Sequence, residues 1–175
     1  MQHSVNLTKF IMSKRLNLRE FQQSLSNRMQ AKANADNQVT TLGVQISGKN
    51  WLIDMSDISE VLPLPPLTKV PMSKSWFRGV VNVRGNLYCV ADMASYLNNN
   101  SVETNSANRV LLVADKHAFN AALLVDRALG LRDTRNWKQS DNEGQIEFID
   151  EQGTSWQKMD VSDLLNQKEF LQVGI

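Results

Sequence analysis

The chain has one cysteine, two histidines and four prolines in 175 residues, and each scarcity excludes something. Cys89 alone closes no internal disulfide, so a reducing, cytoplasmic setting fits; its apolar run, Leu87 to Val90, predicts a buried thiol. His3 and His117, one in a leader and one at an expected hairpin tip, leave no credible Cys-His or Ser-His-Asp arrangement. No His/Cys pair has ligand spacing and the acidic residues are scattered, so neither a metal nor another cofactor is expected. The charges nearly cancel, at 19 basic against 18 acidic residues, which removes the electrostatic case for nucleic acid. No segment approaches the roughly 18 apolar residues of a membrane span. Phe10 to Met12 is too short for a signal-peptide core. A soluble, non-catalytic protein without membrane insertion is the expectation.

What is present divides at residue 38. Residues 1 to 38 lack Gly and Pro and hold one helix signal: Asn17 and Glu20 form a capping box, and Leu16 and Phe21 a hydrophobic staple. Leu18, Phe21, Leu25 and Met29 then make one narrow apolar face, which packs either on its own domain or on a partner. From Val39 the period falls to two. Leu42, Val44 and Ile46 alternate with polar or small residues, and Gly48-Lys49-Asn50 turns the chain into Trp51 to Met55. Pro63, Pro65, Pro66 and Pro71 predict an extended crossing, neither helix nor central strand.

Further strands are expected at Val110 to Ala114, Ala121 to Val125, Gln145 to Ile149 and Ser155 to Met159, with a short helix at Met93 to Leu97. Asp160 or Ser162 can cap a last helix containing Leu164 and Leu165. Many short strands between close turns argue for a mainly β fold of small barrels. Trp51, Trp76, Phe77 and Tyr88 sit in apolar, not basic, surroundings and read as core.

The densest information lies in Trp76 to Asp92, WFRGVVNVRGNLYCVAD, where two apolar strands are interrupted by Arg84-Gly85. An ordinary two-residue hairpin turn carries Asn or Asp before Gly. Arg84 therefore serves something besides the turn, or is an exposed charge on it. GVVNVRG has neither the glycine spacing of a dinucleotide loop nor the Lys-Ser/Thr ending of a triphosphate loop.

AsnValArgGly within RGVVNVRGNLYCVADM resembles the signature of CheW-like coupling domains. The resemblance continues upstream in WLIDMSDISEVLPLPPLTKVP and downstream in LLVDRALGL and WQKMDVSDLL, covering about residues 39 to 171. It implies a CheW-like domain over residues 39 to 172, with two small five-stranded SH3-like barrels sharing a core and a short C-terminal helix, to which the leader, residues 1 to 38, adds an N-terminal helix and linker that simple family members lack. It also implies a scaffold that joins the cytoplasmic tip of a methyl-accepting chemoreceptor to the regulatory domain of a CheA-like histidine kinase. Motif by motif, it places Ile58, Glu60, Gly79, Val80 and Arg84 on the receptor-binding groove, with Gly85 allowing the turn and Glu60 placed to pair with Arg84. Val44, Ile46 and Ile53 fall at the kinase-facing strand ends, where an ordinary buried core is the equal reading. Within the family, the leader and the residues around Trp76 resemble the couplers of type IV pilus twitching motility. A flagellar chemotaxis coupler is the alternative, and a peptide-binding barrel outside signalling the next.

Overall fold

Alternation at Leu42, Val44 and Ile46 produces strand β1 (Thr41–Ile46), and the chain reverses into β2 (Lys49–Asp54). The turn is Ser47-Gly48, both with positive φ (51° and 76°), rather than the expected Gly48-Lys49-Asn50. Lys49 already pairs with Ile46 in the ladder. The computed structural model describes residues 40–98, 101, 103–142 and 145–175; the leader helix expected at Asn17 to Met29 lies outside them.

After a single 3-10 turn (Met55–Asp57) come β3 (Ile58–Pro63), β4 (Phe77–Val83), β5 (Asn86–Asp92) and helix α1 (Met93–Asn98). Strands β6 (Arg109–Val113) and β7 (Ala121–Val125) flank a second 3-10 turn (Asp115–His117). The chain ends in β8 (Arg127–Arg132), β9 (Lys138–Asn142), β10 (Gln145–Ile149), β11 (Ser155–Met159) and helices α2 (Val161–Asn166) and α3 (Lys168–Leu171). Asp160 caps α2, its Oδ1 accepting from the Asp163 amide at 3.0 Å.

The strands form two sheets, in the orders β8-β1-β2-β11-β10-β9 and β3-β6-β7-β5-β4. The fold is mainly β with two sheets, as expected; the first sheet holds six strands where five were implied. Each sheet contains one parallel pair, β2 with β11 and β5 with β7. The second sheet is built from consecutive strands. It is inserted between β2 and β8, so the first sheet draws its strands from both sides of it.

One hydrophobic cluster includes residues of both sheets. It holds Val44, Ile46 and Ile53 from the first and Val90, Leu112 and Leu124 from the second, together with Val161, Leu164 and Leu165 of α2. Trp51, Trp76, Phe77 and Tyr88 are buried in it, as their apolar surroundings predict. Trp76 stacks on Phe170 at 5.4 Å and meets Tyr96 edge-on at 5.3 Å, fastening the start of β4 to α1 and α3.

The other face of the first sheet has its own filling. Trp156 lies against Gly43, where an added Cβ would come within 2.9 Å of the indole. Arg132 of edge strand β8 stacks over that indole at 5.1 Å, and the Trp137 ring lies 5.4 Å away. The proline-rich crossing is bridged to β4 at one point. Thr68 exchanges both backbone hydrogen bonds with Val80 of β4, at 2.8 and 2.9 Å. Toward Pro66 and Pro65 the ladder cannot continue, because neither ring nitrogen has a proton to donate.

Candidate functional site

Arg84 and Gly85 form the two-residue turn between β4 and β5, with φ of 51° and 89°. Two positive values in succession are what the right-handed twist of a hairpin asks for. Glycine takes that conformation freely; arginine does so against its Cβ. Asn82 supports the turn from two residues upstream, its Oδ1 accepting from the Gly85 amide at 2.9 Å.

The strained position aims the guanidinium at β3. Arg84 Nη1 and Nη2 donate to the two carboxylate oxygens of Glu60, each at 2.7 Å, in a bidentate pair. The carboxylate raises the guanidinium pKa above its already high ordinary value, first through these hydrogen bonds and then through charge. The Arg84 side chain is 74% exposed and that of Glu60 28%. Such a pair adds little to stability but fixes the orientation of both groups. Glu60 stands on edge strand β3, whereas Arg84 follows the opposite edge strand, β4. Their contact therefore spans the seam of a sheet rolled until its edges meet.

Gly79 is a packing glycine. Its φ is 124°, and a Cβ there would lie 2.2 Å from the Thr68 carbonyl oxygen. It admits the proline-rich crossing against β4, and the half-buried Val80 receives it through the Thr68 bridge. Gly79 is itself buried, and Val80 lies on β4 four residues before Arg84.

Ile58, which the resemblance placed on the groove, is 5% exposed and belongs to the core. Two residues apart on a regular strand, Ile58 and Glu60 would share a face. The β3–β6 register shifts between them, and this bulge turns Ile58 inward while Glu60 stays at the surface. Val44, Ile46 and Ile53 are all 0% exposed. They are core, the other of the two readings, and a partner reaches none of them without opening it.

Cys89 is a correction of another kind, because the thiol is exposed. On β5 it faces away from buried Tyr88 and Val90, on the side where Leu87 is 56% exposed. The apolar run was two-sided in sequence but is covered on one side here.

Sequence reading also missed a polar cluster. The Asp57 carboxylate can only accept, so His117 Nε2 donates to its Oδ1 at 2.9 Å, and Lys116 Nζ lies 2.7 Å from the same oxygen. Ser162 Oγ stands 3.5 Å from His117 Nδ1. Burial pushes the Asp57 carboxyl up, but the hydrogen bonds from Lys116 and His117 outweigh it and hold the group below its ordinary value. An ammonium already answers the carboxylate, so the trio joins the two 3-10 turns to the start of α2 rather than activating the serine. Among the described residues no group of three or more His, Cys, Asp or Glu side chains could hold a metal ion, and no helix is long and apolar enough to cross a membrane.

Known proteins resemble the chain in sequence and fold. A model of the CheW-like domain matches residues 40–169. Protein PilI of Pseudomonas aeruginosa is 33% identical over 91 residues, which take in 52% of this chain and 51% of that protein, about half its length. Chemotaxis protein CheW of Thermotoga maritima is 30% identical over 109 residues, 62% of this chain and 71% of that one. The crystal structure of scaffolding protein TtCheW from Thermoanaerobacter tengcongensis has the same fold, with a TM-score of 0.62 at 15% identity over 75% of this chain and 94% of that one. The chain belongs to the family of proteins with a CheW-like domain.

Proposed function

We propose that the chain is a non-catalytic, cytoplasmic scaffold coupling the tip of a methyl-accepting chemoreceptor to the regulatory domain of a CheA-like histidine kinase, in the signalling that drives type IV pilus twitching. The observation that carries this reading is the exposed Arg84–Glu60 pair. A bidentate, surface-facing ion pair held by a strained turn contributes little to the fold, and fixed surface charges set register and partner choice at an interface. The seam where Glu60 and Arg84 meet, continued along β4 by the half-buried Val80, is the receptor surface.

The twitching assignment is supported by the likeness to Protein PilI, and its rival, a flagellar chemotaxis coupler, by the likeness to Chemotaxis protein CheW. Pull-down of the full chain with receptor tips and kinase regulatory domains from the two pathways separates them. The proposal requires a ternary complex with the twitching pair and no ATP turnover by the chain alone. Assembly with the flagellar pair only would establish the rival reading, and binding to neither pair would end both.

A further inference from the structure

At the other end of β4 from Arg84, a cleft of about 710 Å³ opens between the proline-rich crossing and the strand. Its apolar lining comes from Leu64, Leu67, Val70 and Phe77. Its charged lining residues are Lys69, Lys74 and Arg78, and no carboxylate among the described residues lines it. Arg78 is partly answered from behind, by the buried Asp92 at 3.3 Å. Lys69 and Lys74 form no ion pair among the described residues. Among the described residues the cleft thus holds two uncompensated cations beside an apolar lining.

The wall carrying these lysines is fixed in advance. Thr68 is bridged to Val80 at one end; at the other, the Lys74 amide donates to Val173 O at 2.9 Å and the Ile175 amide to Met72 O at 3.1 Å. Between them Ser73 Oγ donates to Val70 O at 2.7 Å. A partner therefore meets a rigid wall and loses little entropy in ordering it.

We infer that this cleft docks an acidic, extended segment of a partner protein, carboxylates toward Lys69 and Lys74 and an apolar side chain between them. Charge complementarity names the sign, and the apolar lining names the side chain. A bare phosphate would leave that lining uncovered, and a membrane surface would meet cations on a convex face rather than in a cleft. Pro65 and Pro66 offer no amide, so recognition runs through side chains rather than strand addition. Five residues of β4, Gly79 to Val83, lie between Arg78 and Arg84, about 20 Å at strand rise, so the cleft and the Arg84–Glu60 pair can be occupied together. The inference stands apart from the receptor–kinase reading.

The test is fluorescence anisotropy with the full-length chain and a labelled synthetic peptide alternating glutamate pairs with leucine. The peptide should bind with an affinity that falls as salt rises, and a Lys69→Glu/Lys74→Glu variant should bind it at least about tenfold more weakly with its thermal midpoint unchanged. Should that variant fold poorly, Lys69→Gln and Lys74→Gln singly should each weaken binding. Arg84→Asn should bind like the wild type, which keeps this result separate from any failure of receptor coupling. Equal binding of the glutamine-for-glutamate peptide, unchanged affinity in the lysine variants, an equal loss in Arg84→Asn, or capture of phosphatidylglycerol vesicles or inorganic phosphate in place of the peptide would each overturn the inference.

Discussion

Arg84 and Glu60 meet through two parallel 2.7 Å hydrogen bonds although they belong to opposite edges of one sheet. The pair is a clasp on a rolled sheet, and the clasp faces outward. Its two duties, local geometry and recognition, can be separated by mutation.

Arg84→Asn places in the turn the residue that a two-residue hairpin prefers, while removing the guanidinium. The thermal midpoint should hold or rise by about a few degrees, and receptor-tip binding should fall. Calorimetry and a pull-down on the same sample decide it. A collapsed midpoint would make Arg84 a structural residue.

Exchanging the charges should separate pair from site. Arg84→Glu alone should weaken receptor coupling with the fold intact, and the double variant Arg84→Glu/Glu60→Arg should recover part of it. A double-mutant cycle on binding should show coupling energy between the positions; additive losses would mean that they act independently.

Gly79→Ala should be among the more damaging single-methyl changes in the chain, because the new Cβ meets a backbone oxygen at 2.2 Å at a φ of 124°. A loss of about 3 kcal/mol is expected, with faster hydrogen exchange at the Thr68 and Val80 amides. Unchanged exchange there would mean that the crossing is held by something other than this close approach.

The polar cluster predicts a pH window. The folded-state pKa of Asp57 is depressed, so its contribution is present above its unfolded value, about 3.9, and is lost as pH falls through the folded one. The difference in thermal midpoint between the wild type and Asp57→Asn should be full near pH 5 and shrink steadily below about pH 4. A difference constant from about pH 5 down to pH 2 would show that the carboxylate's charge is not what matters.

Trp76→Ala should cost about 3 to 5 kcal/mol, since the indole is buried against Phe170, Tyr96 and Phe77. Chemical denaturation with an unchanged m-value would report a loss of packing without a change of native state.

Strands with clean alternation, the proline crossing and the Asp160 cap were all legible from local chemistry. β8 and β9 were not: Arg127 to Arg132 mixes charge with glycine, and Lys138 to Asn142 has no apolar residue, so neither shows a period of two. Ile58 was misplaced because a motif records which residues occur but not the bulge that sends one of them inward. The Asp57, His117 and Ser162 cluster joins three distant segments, and no spacing rule connects them. The Arg84–Glu60 pair was legible because the resemblance supplied the fold that brings opposite charges together.

The insertion of one sheet between the strands of the other sets a schedule for the growing chain. On the ribosome, β3 to β7 emerge as a contiguous set and can pair as soon as β7 is free. β2 has a different fate: Trp51 must wait for Gln157 before its second ladder can close, so one edge of the β1–β2 hairpin stays open through most of synthesis. That waiting edge, made of Trp51, Leu52 and Ile53, exposes the nascent chain to mispairing with another copy of itself.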